Sequence, residues 1–357
     1  MFRTTSWFKG SAGFFFLSMV SLSASGIVSL QNNPPPPLSL EEPRNYYGYA
    51  QASYLYWVAK RAGEEVFISN FYYPPTDNAV QGTVGYIASP AHSGFRAAAG
   101  FETIEREIAL RVQYTWMPKN TPQTVFSYPN STAYVASDKT EIVTGGVGQT
   151  TSLFQRIDFE MINSMPNHKY LYYRPYLSMV LAWNHEETSI TTFLSGNGPF
   201  YFTSKQDWWT LGPELGVRYG YFIYKGKNGL LRLNAITGAG QGWSHTNTTI
   251  FETFYQTEAV LLSAKDSVAI TSTLVELQFG LGYSNENLEE RQSYFEFNVN
   301  WELQTWINSF SSFNGTMLIL QGLTASVGFS FKVIGAPWIN AEQFTKSLNA
   351  QDLLHFP

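Results

Sequence analysis

The sequence of 357 residues contains no cysteine, so neither a disulfide framework nor a reactive or metal-binding thiolate is available to it. It also lacks an uninterrupted apolar run approaching the ~20 residues that a membrane-spanning helix needs, which argues against a helical membrane protein. Charged residues make up only 14% of the chain, and the formal net charge is −5. This charge argues against a nucleic-acid partner, because phosphate contacts need clustered Lys and Arg.

Aromatic residues are abundant, at 17% of the chain, and many of them alternate with polar residues. The stretch YFEFNVNWELQ, residues 294–304, places aromatic and aliphatic side chains on one parity and acids and amides on the other. A period of two puts these sets on opposite faces of a β-strand. Either the apolar face packs a soluble core, or it faces lipid around a polar interior.

The N-terminal segment has the layout of a secretory signal peptide. Arg3 and Lys9 precede an apolar stretch over residues 12–22, and small residues follow it. We predict a signal peptide at residues 1–25, cleaved after Ser25 or Gly26, and hence export. An uncleaved anchor is the alternative. Residues 26–48 include four consecutive prolines and are predicted to form an extended linker.

The period-two pattern recurs along the rest of the chain and predicts an all-β protein. The predicted strands cover residues 49–59, 94–102, 105–116, 152–162, 170–184, 208–224, 229–243, 273–284, 293–306 and 317–333. Most are longer than the five or six residues that are usual in globular proteins, and they match a tilted membrane crossing. The prediction is a transmembrane antiparallel up-and-down β-barrel at residues 49–333, followed by a tail at residues 334–357.

The connections between predicted strands alternate between long and short, which predicts long external loops and short periplasmic turns. Both chain ends are then periplasmic and the strand number is even. Two apolar stretches inside long loops, EEVFISN at residues 64–70 and AVLLSAK at residues 259–265, leave the count open between ten and twelve.

Tryptophans gather near the external ends of the predicted strands, where an aromatic girdle is expected at the level of the lipid headgroups. The predicted girdle contains Trp57, Trp116, Trp183, Trp208, Trp209, Trp243 and Trp306. A second girdle at the periplasmic ends is predicted from Tyr46, Tyr47, Phe101, Tyr172, Tyr221, Tyr283, Phe295 and Phe331.

Charged residues share the parity that faces the barrel interior when the apolar parity faces lipid. The residues predicted to line a pore are Arg96, Glu107, Arg111, Arg156, Asp158, Glu160, Arg174, Glu214, Arg218, Arg232, Glu276, Glu296, Glu302 and Lys332, and Glu102 has the same parity. Acids and bases are nearly balanced, so a mutually paired network and an open, weakly selective lumen are both compatible with this set. Inward glycines such as Gly216 and Gly238 indicate either free space or close strand packing.

Five short motifs resemble a family of major-outer-membrane-protein-like, pore-forming barrels found in legionellae and environmental chlamydiae. They are SYLYW at 53–57, SGFR at 93–96, QYTW at 113–116, YYRPYL at 172–177 and QGLTASVGFSF at 321–331. The resemblance implies an outer-membrane β-barrel, and a porin in particular. Two features depart from such barrels. The chlamydial major protein is rich in cysteine, whereas this chain has none. Many barrels end on a terminal aromatic residue, whereas here Phe331 is followed by a tail.

Three functions follow from these patterns as hypotheses. The first is a porin-like pore for passive diffusion of small solutes or ions. The second is a plugged barrel whose long loops bind a host or envelope surface ligand or whose role is structural. The third, a hydrolase, rests on His185, Glu186, Glu187, Asp207 and His245 near the external rim, because a histidine beside a carboxylate activates water.

The predicted partners are outer-membrane lipid and small solutes or ions. No cofactor and no metal site is predicted, since the sequence has no metal-binding or phosphate-binding motif. Homo-oligomerisation is left open by the sequence.

Overall fold

The computed structural model describes residues 46–61, 65–72, 81–86, 91–103, 108–120, 123–126, 131–134, 140–163, 170–194, 199–226, 229–254, 260–285, 293–307 and 317–333. The strands are β1 (Tyr46–Arg61), β2 (Glu65–Tyr72), β3 (Gln81–Tyr86), β4 (His92–Thr103), β5 (Ile108–Asn120), β6 (Gln123–Phe126), β7 (Ser131–Tyr134), β8 (Thr140–Asn163), β9 (Leu171–Leu194), β10 (Phe200–Gly226), β11 (Gly229–Phe254), β12 (Val260–Ser284), β13 (Tyr294–Ile307) and β14 (Met317–Val333). The described part of the chain contains no helix long and apolar enough to cross a membrane.

Ten of these strands form a closed antiparallel ring in the order β8, β5, β4, β1, β14, β13, β12, β11, β10, β9 and back to β8. The first and last strands close one seam, with Tyr46 opposite Val333 and Arg61 opposite Leu318. The ring satisfies the hydrogen bonds of every strand edge within it, which a sheet in lipid requires. The prediction of an up-and-down barrel is confirmed.

The ring has ten strands rather than twelve. Of the two stretches that left the count open, residues 65–70 of EEVFISN lie in β2, outside the ring. Residues 260–265 of AVLLSAK belong to the start of β12. The short strands β6 and β7 pair with the external half of β8, β2 pairs with β7, and β3 pairs with β2. They extend the sheet beyond the ring on the side of the long loops.

The ring strands are longer than predicted at their external ends. β8 begins at Thr140 instead of residue 152, and β10 runs for 27 residues from Phe200. A tilted crossing needs only about 9–11 residues, so the remainder projects beyond the membrane. On these extensions both parities carry mostly polar residues, such as Lys205 and Asp207 on one and Ser204 and Gln206 on the other, so hydropathy does not alternate along them.

The first strand begins slightly earlier than the predicted boundary between linker and barrel. β1 begins at Tyr46, so residues 46–48 of the predicted linker belong to the first strand. The predicted signal peptide, the rest of the linker and the C-terminal tail lie outside the described residues.

Candidate functional site in the barrel lumen

The two faces of each ring strand have opposite surroundings. In β13, Phe295, Phe297 and Val299 are exposed on the outer surface, while Asn298 and Glu302 are buried inside. The outer surface of the ring is therefore apolar and suited to lipid, and the candidate site is the polar interior.

Arg156 lies at the centre of the charged interior. Its Nε donates to Asp158 Oδ1 at 2.7 Å, its Nη2 to Glu214 Oε2 at 2.7 Å, and its Nη1 to Glu276 Oε2 at 2.9 Å. The Arg156 side chain is only 3% exposed. Because these residues come from β8, β10 and β12, the guanidinium group links strands that are not neighbours in the ring and spans the lumen.

Two further ion-pair groups lie beside this cluster. Arg96 on β4 donates two hydrogen bonds to Glu302 on β13, at 3.0 and 2.9 Å. Glu160 on β8 accepts hydrogen bonds from Arg111 Nη2, at 3.1 Å, and from Arg218 Nη2, at 2.7 Å. We call these residues together with the Arg156 cluster the charged layer. Charged groups deep in a lumen are tolerated because each is paired and hydrogen-bonded.

Tyr176 shows how the inward glycines are used. Its hydroxyl group donates to Glu214 Oε1 at 2.9 Å. A Cβ atom at Gly216 would collide with the Tyr176 ring, and one at Gly238 would collide with the Tyr176 hydroxyl and with Glu214. These glycines therefore make room for side chains from neighbouring strands, as in the close-packing interpretation.

An apolar layer fills the lumen next to the charged layer, on its external side. It consists of Leu55, Trp57, Met117, Phe154, Val180, Ala182, Trp208, Leu274, Trp306, Leu318 and Leu320. The rings of Trp208 and Trp306 pack edge to face at 5.2 Å. The guanidinium group of Arg96 lies 5.3 Å from the Trp57 ring and that of Arg156 lies 5.8 Å from the Trp306 ring, so the two layers are in direct contact.

The placement of three tryptophans corrects the predicted external girdle. Trp57, Trp208 and Trp306 are 0%, 1% and 2% exposed and lie in the apolar layer, not at the lipid surface. Their height along the strand is as predicted, but Trp208 shares the inward parity of Glu214 and Trp306 shares that of Glu302. The inward parity of these three tryptophans is the sequence signal for their place in the lumen.

The other predicted girdle tryptophans lie on the outer surface. Trp116 is exposed, Trp243 is 58% exposed, and Trp209 packs edge to face against Trp243 at 4.9 Å, with Trp183 on the same outward parity. At the periplasmic ends, exposed aromatic side chains are Phe101, Tyr221, Tyr283, Phe295 and Phe331. Tyr47 and Tyr172 have inward parity, which corrects the second girdle, and the side chain of Tyr46 lies outside the described set.

The remaining predicted pore-lining residues lie on the periplasmic side of the charged layer. Arg174 on β9 donates to Glu102 on β4 at 3.1 Å, and Arg232 on β11 donates to Glu296 on β13 at 2.7 Å. Glu107 and the side chain of Lys332 lie outside the described residues.

The rim residues form pairs on the outer surface. His185 Nδ1 lies 2.6 Å from Asp207 Oδ1, whereas Glu186 is buried on the opposite face of β9. Lys205 hydrogen-bonds Glu187 at 3.0 Å, and this bond holds the pKa of the Glu187 carboxyl group below its usual value. His245 Nε2 lies 3.2 Å from Ser267 Oγ. The His185 and Asp207 side chains are 38% and 64% exposed, so solvent has free access to this acid–base pair.

The closed ring, its apolar outer belt and its charged interior define a transmembrane β-barrel of the outer-membrane type. The family described as Legionella pneumophila major outer membrane protein precursor matches residues 43–338. Because this match covers most of the chain, the protein belongs to that family and is an outer-membrane protein.

Several solved outer-membrane barrels are similar to this chain. The outer membrane protease OmpT from Escherichia coli has 10% identity and a TM-score of 0.40, with 82% of this chain and 97% of that chain covered. The Pseudomonas putida toluene transporter TodX has 6% identity and a TM-score of 0.25, with 82% and 90% covered. At TM-scores this low, these likenesses carry no functional assignment. No curated protein sequence matches the chain.

Proposed function

We propose that the protein is a porin-like outer-membrane channel for small solutes or ions that is closed in the conformation described above. The observation that carries this proposal is the polar cavity of about 120 Å³ inside the barrel, lined by Arg96, Arg111, Arg218 and other residues of the charged layer. Charged side chains and cavity space inside a membrane barrel are features of a path for hydrated solutes.

The apolar layer is the proposed gate. Its side chains come from eight of the ten ring strands and occupy the lumen on the external side of the charged layer. An apolar constriction blocks ions because water is unstable in it. Conduction therefore requires that Trp208 and Trp306 move apart or turn aside.

The test is single-channel recording in planar bilayers of the wild type and of Trp208→Ala/Trp306→Ala. We expect the wild type to be closed for most of the time, and the double variant to conduct in stable steps. Trp243→Ala, which removes a tryptophan from the outer surface, is the matched control and should behave like the wild type. Heat-modifiable migration on gels checks that each variant is folded. Trp306→Ala alone is the substitute if the double variant does not fold.

The competing candidate is a plugged barrel that displays its external loops and strands. It is favoured by the ion pairs that engage each lumen arginine of the described residues, and by the strand number, since barrels of about eight strands are filled by side chains. Silence from both the wild type and the folded double variant would favour this candidate. Binding to a surface ligand would then be sought on the sheet formed by β2, β3, β6 and β7.

A hydrolytic role has less support. His185 and Asp207 form an acid–base pair, but both side chains are exposed on the outer surface, and neither lines the cavities inside the barrel. Catalytic pairs gain their strength in water-excluded sites.

A further inference from the structure

A second cavity lies at the periplasmic end of the lumen, below the charged layer. Its volume is about 210 Å³, and its described lining includes Tyr172, Arg174, Phe222, Lys225 and Arg232. We call this cavity the vestibule. It lies on the far side of the charged layer from the apolar gate, so whatever occupies it enters from the periplasm whether or not the barrel conducts.

Basic groups outnumber acids in the vestibule. The described lining residues that carry charge are Arg111, Arg174, Arg218, Lys225 and Arg232 on one side and Glu102 and Glu296 on the other. Glu102 binds Arg174, Glu296 binds Arg232, and Glu160, which lies deeper, binds both Arg111 and Arg218. Even with Glu160 included, the bases exceed the acids by two. A cleft of one sign with low-dielectric walls concentrates ions of the opposite sign.

The basic side chains are held in place by the walls of the vestibule. Lys225 Nζ lies 4.0 Å from the centre of the Phe222 ring, and the Arg174 guanidinium group lies 5.9 Å from the centre of the Tyr172 ring. Arg232 donates through Nε to Asn234 at 2.9 Å and through Nη2 to Glu296 at 2.7 Å. Each arginine has five N–H donors, so donors remain beyond those in the ion pairs.

The vestibule also has an apolar side. Ile162, Phe222 and Tyr294 belong to its lining together with the arginines. Its volume of about 210 Å³ is large enough for a small organic molecule. We propose that the vestibule is a binding site for a small organic anion, in which the basic side chains bind a carboxylate or phosphate group and the aromatic residues contact its carbon part.

Binding is measured by isothermal titration calorimetry on the full-length folded barrel in detergent micelles. The probes are benzoate and phenyl phosphate, with benzamide as the neutral counterpart of benzoate. We expect saturable binding of at least one anion, roughly tenfold or more tighter than that of benzamide, and weaker binding at high salt. Equal binding of benzoate, phenyl phosphate and benzamide, or no binding of either anion, would overturn the proposal.

Variants locate the binding in the vestibule. Lys225→Gln and the charge-balanced pair Arg174→Gln/Glu102→Gln should each weaken anion binding by roughly tenfold. Lys205→Gln makes the same charge change at the opposite end of β10, on the outer surface, and should leave the affinity unchanged. Anion binding that persists in both vestibule variants, or that falls equally in Lys205→Gln, places the site elsewhere and rejects the inference. The readout needs no conduction, so it remains informative if the channel proposal fails.

Discussion

Arg156 is the residue on which the centre of the lumen depends. One guanidinium group is the partner of Asp158, Glu214 and Glu276, which come from three strands. Arg156→Gln would leave these carboxylates buried without a counter-charge. We expect the free energy of unfolding to fall by about 3–5 kcal/mol, measured by denaturant titration in micelles with tryptophan fluorescence.

The control for this substitution is an exposed ion pair in the same protein. Lys205→Gln breaks the surface pair with Glu187 and should cost less than about 1 kcal/mol. If Arg156→Gln is no more destabilising than Lys205→Gln, then the central cluster does not stabilise the barrel.

Glu252 is a second residue with a measurable effect, in this case on how the stability of the fold depends on pH. Its side chain is fully buried near the external end of β11, neither carboxyl oxygen has a hydrogen-bond partner among the described residues, and burial raises its pKa. A raised pKa in the folded state means that the protonated form is favoured by folding. The corresponding stability is present below the unfolded-state pKa and is lost as the pH rises through the folded-state pKa.

Comparison of the wild type with Glu252→Gln isolates this contribution, because glutamine resembles the protonated acid. The wild type should lose stability relative to the variant between pH 4 and pH 8, measured as the difference between their denaturant midpoints at about those two pH values. A difference that is the same at both pH values would show that folding does not change the pKa of Glu252.

At the scale of the strands, the sequence predicted the ring well and its surroundings poorly. All ten ring strands were predicted from hydropathic alternation, because within the membrane each has one face toward lipid and the other toward a polar lumen. The external half of β8, with the run TEIVTGGVGQTT, has no such contrast, although it hydrogen-bonds to β6, β7 and β9. Backbone ladders form without a hydropathy signal, and the prediction therefore ended these strands too early.

The candidate site was predictable in its parts but not in its pairings. Alternation indicated that Arg156, Glu214 and Glu276 face inward, because they oppose lipid-facing residues on their own strands. It did not indicate that they meet, since that depends on the shear and closure of the ring. The apolar layer was not predicted, because Trp57, Trp208 and Trp306 lie at the same height along their strands as the outward tryptophans and differ from them only in their inward parity.

For the whole molecule, the channel proposal predicts where charge selectivity arises. Arg111 and Arg218 border the inner cavity and share Glu160. Their replacement by Ala in the conducting Trp208→Ala/Trp306→Ala background should shift the reversal potential toward cations, because two positive charges leave the path. Reversal potentials across a salt gradient measure this shift. An unchanged value would remove both residues from the conduction path, and Lys205→Gln provides the comparison for a charge outside the lumen.

The seam between β1 and β14 sets the order in which the molecule can assemble. Tyr46 pairs with Val333, so this ladder joins residues near opposite ends of the chain, whereas most of the other ring ladders join strands that follow one another directly. Long-range contacts form slowly, because the ordering entropy of the intervening chain is lost before they contribute. The hairpins of β9 to β14 can form early and locally, but the barrel wall remains open until the final strand is present. A chain that ends before Met317 would therefore have an unpaired β1 edge in contact with lipid and no complete lumen.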